Sequence, residues 1–192
     1  MCLRVNSFLE MVRDGNFVVL DTETTGITYP AEACEIAVID SKGKALFDSL
    51  VKPSIPISAE AVSIHGITAL KVKNKPSFAK HSRELESILR DKNIVSYGAK
   101  FDRDILCWSS EPYDIRVNWG GLGSWWCAMN WYARVWSQPH PALGTPKWQK
   151  LAEAVQQQGL KVTGAHSALG DCRMTLKLIQ RIASSKPNTY RD

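Results

Sequence analysis

Long hydrophobic runs are missing from this sequence, and their absence excludes a membrane protein. The longest apolar stretches, such as 17–20, are only a few residues long, whereas a helix that crosses a bilayer needs about 20 apolar residues. The N-terminal segment soon carries Glu10, Arg13 and Asp14, so it contains no uninterrupted apolar region of the secretory kind. We therefore expect a cytoplasmic protein that makes no use of a membrane.

Paired cysteines are also missing. The chain has five cysteines, which is an odd number, and their positions show no paired spacing: Cys2, Cys34, Cys107, Cys127 and Cys172. This pattern argues against a disulfide framework and against a cysteine-type zinc site.

The composition is that of one globular domain with a hydrophobic core. Of 192 residues, 44% are hydrophobic and 22% are charged. We expect a single domain over 1–183 and a loose tail over 184–192. The 24 basic residues exceed the 19 acidic ones and give a net charge of +5, which favours polyanionic partners.

Two local concentrations of residues bear on binding. Nine basic residues fall between 71 and 103, where they indicate either a track for phosphates or ordinary solvated helix faces. All seven tryptophans lie between Trp108 and Trp148. We expect most of them to build the core or a protein interface, and one or two at most to provide stacking surfaces for bases.

Apolar periodicity predicts a mixed α/β sheet with helices on both faces. An amphipathic pattern over 3–12 predicts a first helix that ends at Asp14-Gly15. The turn at 41–44 is short enough to join two strands in an antiparallel hairpin. The predicted strands are 17–20, 36–39, 45–51 and 93–97; the predicted helices are 78–89, one from about 101, 147–158 and 167–182; 124–129 is a strand or a helix entry.

Asp21 and Glu23 follow the first predicted strand in the segment DTETTG (21–26). The period of two in a strand places both carboxylates on one face. Two adjacent carboxylates repel each other and raise each other's pKa unless a cation compensates. A surface pair without function is the alternative, but the preceding strand is apolar enough to be central, where idle carboxylates are costly.

Two further acids and a histidine follow later in the chain. Asp102 comes just after the strand predicted at 93–97, and Asp171 ends the segment HSALGD (166–171). Either acid alone is also typical of a helix N-terminus. With His166, whose imidazole suits a general base, they complete a set of four carboxylates and one proton acceptor.

These motifs, in this order, resemble those of the DEDDh family of 3′–5′ exonucleases, the DnaQ-like group that includes proofreading subunits, RNase T and exonuclease X. DTETTG resembles the family's first motif, Phe101-Asp102 with Ile105-Leu106 the second, and HSALGD the third. The segment SIHGIT (63–68) resembles a loop that often lies between the first two. The resemblance covers most of the chain and implies a ribonuclease H-like fold.

One position departs from the family pattern. The family usually has Asn three residues before the Phe-Asp of the second motif, and here that position is Gly98. A polar contact is therefore missing, which we expect to slow the reaction without removing any of the five catalytic groups.

The resemblance also implies a mechanism and a cofactor. Two divalent ions, Mg²⁺ or Mn²⁺, would be held by Asp21, Glu23, Asp102 and Asp171, and His166 would deprotonate the attacking water. By analogy Asp21 would bridge both ions, Glu23 and Asp171 would hold one of them, and Asp102 would hold the other, partly through water.

Three residues are candidates for substrate binding. Thr24 follows the acid pair and would anchor the terminal 3′-OH, although it also suits a simple turn. Ile64 and His65 resemble family positions that press against the terminal bases, and core packing is the alternative for Ile64. His81 and His140 have no partner spacing, and we interpret both as ordinary surface residues.

The sequence thus predicts a metal-dependent 3′–5′ exonuclease that acts on single-stranded 3′ ends of DNA, in preference to RNA, and releases nucleoside 5′-monophosphates. An RNA-trimming exonuclease is the close alternative. A non-catalytic nucleic-acid-binding or polymerase-associated subunit is an alternative of another class. A polymerase or a second copy of the chain is the expected protein partner.

Overall fold

The fold is built on one mixed sheet whose central strand carries the first acid pair. The computed structural model describes residues 5–136 and 144–184, and within them five strands form a sheet of order β3-β2-β1-β4-β5. The strands are β1 (Phe17–Thr24), β2 (Ala33–Asp40), β3 (Ala45–Leu50), β4 (Asn93–Ser96) and β5 (Ser124–Cys127). β1, β2 and β3 pair antiparallel, as the predicted hairpin requires, whereas β4 is parallel to both β1 and β5.

The described part of the chain also contains eight α-helices. They are α1 (Val5–Asp14), α2 (Ala59–His65), α3 (Ala69–Val72), α4 (Phe78–Leu89), α5 (Ala99–Ser110), α6 (Ala128–Trp136), α7 (Leu151–Gln157) and α8 (Ala168–Ser184). None of these described helices combines the length and the apolar character needed to cross a bilayer.

Two hydrophobic layers, one on each face of the sheet, hold the helices in place. Phe17 and Val19 of β1 pack in the layer formed with α1, α6, α7 and α8. Val18 and Leu20 pack in the layer formed with α4 and α5. Because helices cover both faces, the first four residues of β1 are all apolar and buried. The predicted mixed α/β sheet with helices on both faces is confirmed.

β1 extends beyond its parallel neighbour β4, so within the described residues the end of β1 that carries the acids has no strand paired to it on that side. Pairing with β4 stops at Val19, while pairing with β2 continues to Thr24. α5 begins at Ala99, shortly after β4 ends. The carboxyl ends of two parallel strands therefore meet the start of a helix, which is where open α/β sheets bind their ligands.

The structure differs from the sequence pattern in several places. The helix predicted at 147–158 begins only at Leu151, and the strand predicted at 17–20 continues to Thr24. The segment 63–68 is not wholly a loop, because its first three residues form the last turn of α2. Ser58 starts this helix by accepting a hydrogen bond from the Ala61 N–H (3.1 Å), and Gly66 ends it with φ of 68°. α2 and α3 are too short to show a helical period in the sequence. The segment 124–129 contains both alternatives, since β5 ends at Cys127 and α6 begins at Ala128.

Some predictions fall outside the described residues. They concern Leu3 of the first helix, His140 and most of the predicted loose tail, 185–192. The tail's first residue, Ser184, belongs to α8 instead.

Candidate active site

Asp21 and Glu23 project from the same face of β1, as their spacing predicts. Both side chains are half-buried, while Thr22 and Thr24 between and after them are buried on the opposite face. Glu23 lies directly opposite Glu35 on β2. The acid pair thus sits at the end of a central strand, on the face that α8 covers.

Asp102 comes to the same place from α5. Asp102 lies in the first turn of that helix and is only 3% exposed to solvent. Its carboxylate accepts hydrogen bonds from the hydroxyl of Thr22 (2.8 Å) and from that of Ser96, the last residue of β4. Two strands therefore fix this carboxylate beside Asp21.

Asp171 completes the cluster from α8. One carboxylate oxygen of each of Asp21, Glu23 and Asp171 can be chosen so that all three lie within 4.8 Å of one another. The Oδ1 atom of Asp171 is buried and has no hydrogen-bond partner among the described residues. A buried carboxylate oxygen without a donor is a candidate ligand for a cation, while burial raises the pKa of the Asp171 carboxyl and the charge of His166, with a hydrogen bond from its backbone, opposes that rise.

Burial raises the pKa of every acid in the cluster, and neighbouring carboxylates add to the shift at Asp21, Glu23 and Asp171. Burial first, then the charge of Asp171, raises the pKa of Glu23 to about 8. Burial raises the pKa of Asp102 and that of Asp171 to about 6, although hydrogen bonds oppose the shift at Asp102 and the charge of His166 opposes it at Asp171. Burial and the charges of Asp102 and Asp171 hold the pKa of Asp21 well above its ordinary value.

The donor set fits a divalent cation of the Mg²⁺ or Mn²⁺ kind. All candidate ligand atoms are carboxylate oxygens, which such hard cations prefer. A cation bound among these carboxylates would favour their ionised forms and so oppose the rise in their pKa values. The residues fit the predicted cofactor class, and the number of ions stays a prediction.

His166 stands beside Asp171 at the entrance of α8. Its backbone is left-handed, with φ of 63°, and its side chain is exposed. The turn around it is tightly closed, since the Ser167 hydroxyl donates to the Gly164 carbonyl (2.9 Å) and accepts from the Gly170 N–H (3.2 Å). This turn presents the imidazole to solvent at the edge of the acid cluster.

Of the predicted substrate-binding residues, Thr24 and His65 contact each other. The Nε2 atom of His65 lies 3.1 Å from the Thr24 carbonyl oxygen, and its Nδ1 accepts from the Ile67 N–H (3.0 Å). Thr24 is buried and its hydroxyl donates to the Gly26 carbonyl (2.7 Å), the contact of a turn residue. Ile64 is 56% exposed, so the alternative that it packs in the core is wrong.

A cavity of about 420 Å³ lies along α5. Residues from the loop after β1, from α5, from α6 and from the segment before α7 line it, including Ile27, Gly98, Phe101, Trp108 and Trp148. Ile27 is 80% exposed and Trp148 is 65% exposed. Sequence reasoning did not single out either residue, because loop residues far apart in the chain show no common period.

Most of the tryptophans are buried or half-buried, as expected, and two are exposed. Trp119 and Trp131 are fully buried, Trp108, Trp125 and Trp126 are half-buried, and Trp136 and Trp148 are exposed. The basic residues of the segment 71–103 include some that form ion pairs within or at the end of their own helices. Arg90 pairs with Glu86, and Lys100 (2.5 Å) and Arg103 (3.6 Å) pair with Asp104, so these three form the ion pairs of ordinary helix surfaces.

Gly98, which departs from the family pattern, is the residue that precedes α5. It offers no side chain to cap the helix and it lines the cavity. The neighbouring Tyr97 donates from its hydroxyl to the Gln149 carbonyl (2.7 Å), which ties the end of β4 to the segment that carries Trp148.

Comparison with known proteins identifies the class. The chain matches the RNase_T family, described as exonuclease, over residues 18–179. It therefore belongs to this exonuclease family, and the predicted resemblance is confirmed.

Three relatives are similar over most of the chain. "Uncharacterized exonuclease CP81" of Escherichia phage 186 is 37% identical over 174 residues, which cover 86% of this chain and 87% of the phage protein. "Exodeoxyribonuclease 10" of Escherichia coli (strain K12) is 30% identical over 163 residues, 84% of this chain and 66% of that protein. The solved structure of exonuclease X in complex with 5′ overhanging duplex DNA has a TM-score of 0.64 and 29% identity, and the match covers 88% of this chain and 92% of that one.

Replacing Gly170 by Ala should destabilise the protein by at least about 1–3 kcal/mol, the cost of overpacking. A Cβ at this position would lie 1.8 Å from the Gly164 carbonyl oxygen, so the turn around His166 would have to open. Urea unfolding measures the change. Gly26→Ala is the control, since a Cβ there meets nothing within 4 Å; equal losses in both variants would contradict the close packing of the turn.

The metal-free protein should lose stability as the pH rises from about 4 to about 8. Folded Asp102 and Asp171 have pKa values of about 6 and folded Glu23 about 8, whereas unfolded acids titrate near 4. The folded state therefore binds more protons in this interval, and each rise in pH favours unfolding. Thermal melts in chelator test this.

Two variants sharpen the pH test. Glu23→Gln should flatten the fall in melting temperature between pH 6 and 8. Asp48→Asn, which removes an exposed carboxylate from β3, should leave it unchanged. A melting temperature that stays constant or rises from pH 4 to 8 in the wild type would contradict the raised pKa values.

Proposed function

We propose that this chain is a metal-dependent 3′–5′ exonuclease that hydrolyses single-stranded ends, of DNA in preference to RNA, and releases nucleoside 5′-monophosphates. The observation that carries the proposal is the acid cluster. β1, α5 and α8 each contribute to it, and Asp171 Oδ1 is buried there without a donor. An arrangement that costs this much folding free energy is expected where a cation binds.

Asp21, Glu23 and Asp171 would hold one cation, and Asp102, with Asp21, would hold a second. Such cations, when bound, supply the positive charge that stabilises a phosphate as negative charge develops on it. The protein's contribution is to keep the ligands fixed, and Thr22 and Ser96 do this for Asp102.

His166 is the proposed general base. Its imidazole would accept the proton of the attacking water and, because it is exposed, pass the proton to solvent.

The cavity along α5 is suited to the bases near the end of the substrate. Ile27 and Trp148 leave large apolar surfaces exposed at its rim, and Ile64 does so on α2. Base stacking on such surfaces is tolerant of sequence. The preference for DNA is supported by two relatives at 29–30% identity, an exodeoxyribonuclease and an exonuclease whose structure was solved in complex with DNA.

The experiment that tests the proposal compares two labels on one oligonucleotide. With Mg²⁺ or Mn²⁺, a 5′-labelled single strand should shorten as a ladder, and a 3′-labelled one should release its label at once as a mononucleotide. Chelator should stop both. Faster shortening of an RNA strand than of a DNA strand would favour the RNA-trimming alternative. Binding without cleavage of either strand would favour a non-catalytic subunit.

Asp102→Asn should lower turnover roughly 100-fold or more, because the variant removes a charged ligand of the second cation, whose positive charge would stabilise the reacting phosphate. Asp48→Asn is the matched control, since it makes the same change at an exposed carboxylate on β3. Single-turnover cleavage of a labelled strand measures both. Similar rates for the two variants would show that α5 brings no ligand to the site.

His166→Ala should lower turnover roughly 10²–10⁴-fold, the usual contribution of a general base. The dependence of the rate on pH should also differ between the wild type and the variant, because the variant lacks the group that accepts the proton of the attacking water. His81→Ala is the control, because His81 packs at the edge of the Phe47 ring in another part of the sheet. An unchanged pH profile in His166→Ala would exclude His166 as the base.

Trp148→Ala should raise KM for single strands roughly 5- to 150-fold with little change in kcat, the equivalent of one lost stacking contact. Trp136→Ala is the matched control, since Trp136 is also exposed but stacks on Tyr132. Steady-state kinetics on an oligonucleotide measures both parameters. A fall in kcat at constant KM would place Trp148 outside the binding surface.

A further inference from the structure

Glu35 is an acid beside the cluster that none of the sequence motifs accounts for. It lies on β2 directly opposite Glu23, and residues directly opposite in antiparallel strands project from the same face. It is half-buried, and its charge contributes to the raised pKa of Asp21, Glu23 and Asp171. A further carboxylate at this point adds repulsion, so its presence needs a compensating contact.

That contact is the start of α8. The Oε2 atom of Glu35 accepts a hydrogen bond from the backbone N–H of Ala168 at 2.8 Å. Ala168 is the first residue of the helix, where N–H groups have no partner within the helix and a negative charge is favourable. The carboxylate thus joins β2 to an element 133 residues away in sequence.

The residue that Glu35 holds is central to the third motif. Ala168 lies between His166 and Asp171, in the turn that the hydroxyl of Ser167 closes onto Gly164 and Gly170. Because this turn is internally closed, it moves as one piece. A contact that fixes Ala168 against the sheet therefore fixes the imidazole and the carboxylate together, relative to Asp21.

We propose that Glu35 is a positioning residue, which acts through the Ala168 N–H to hold His166 and Asp171 in register with the acids of β1. The hydrogen bond, and not the negative charge, is the part of Glu35 that this role requires. The inference rests on the proposed exonuclease function for its kinetic test, but its metal-binding test is independent of cleavage.

Two variants of Glu35 separate the hydrogen bond from the charge. Glu35→Ala removes both and should lower kcat and the affinity for Mn²⁺ roughly 10- to 100-fold, the usual cost of losing a group that orients metal ligands. Glu35→Gln keeps an acceptor oxygen and should restore most of both quantities. Asp48→Ala, which removes an exposed carboxylate from the same sheet, should change neither.

Ala168→Pro tests the same bond from its donor. Proline lacks the N–H and is well tolerated at the first position of a helix. It should therefore reproduce the losses of Glu35→Ala. The double variant Glu35→Ala with Ala168→Pro should lose no more than Glu35→Ala alone, because the two changes delete one shared contact.

The readouts are single-turnover cleavage, calorimetric titration with Mn²⁺ and a melting curve for each variant. Rescue by Gln and a non-additive double variant support the proposal. If Glu35→Gln is as defective as Glu35→Ala, or if the losses add, the proposal is wrong. If Glu35→Ala fails to fold, Glu35→Gln and Ala168→Pro still test the proposal. Near-normal Mn²⁺ affinity in Ala168→Pro, or loss of Mn²⁺ affinity in Glu35→Gln, would overturn the proposal.

A failure of the exonuclease proposal looks different. In that case the wild type binds Mn²⁺ but cleaves no strand, while Mn²⁺ affinity still falls in Glu35→Ala and recovers in Glu35→Gln. That result supports the role of Glu35 while it removes the proposed reaction.

Discussion

The repulsion among carboxylates at the end of β1 is the constraint on which the rest of this structure depends. Asp21 and Glu23 face Asp171, Asp102 lies beside Asp21, and Glu35 lies opposite Glu23. Burial and like charge both oppose ionisation there, which is why the pKa of Glu23 rises to about 8. Such a cluster persists only if the surrounding fold is stable enough to hold it, and it becomes useful when a cation neutralises it.

The fold supplies that stability through the two layers that bury β1 on both faces. Because β4 stops pairing with β1 at Val19, the same strand is fully covered at its start and open at its end. α5 and α8 then bring Asp102 and Asp171 in their first turns, where the helix dipole favours a negative charge. The first half of β1 thus packs in the core, and the second half carries the acids of the candidate site.

Much of this follows from the sequence, because the signals are local. An apolar run that ends in alternating acids indicates a buried strand with an acidic end, and β1 with Asp21 and Glu23 has this form. Asp102 and Asp171 follow recognisable helix starts. Glu35 carries no such signal, since in the sequence it is one acid within an apolar strand, and its importance comes from register with Glu23 and a contact with distant Ala168. The cavity of Ile27, Gly98 and Trp148 is likewise a product of loop packing.

The central claim, that the fold holds a cation site at the end of β1, is tested most directly by the effect of Mn²⁺ on thermal stability at pH 8, a pH above the pKa values of Asp102 and Asp171. The account predicts that Mn²⁺ raises the melting temperature of the wild type, and that Asp21→Asn melts higher than the wild type without metal but gains little from Mn²⁺. A wild-type melting temperature that does not respond to Mn²⁺, or an equal gain in Asp21→Asn, would contradict it.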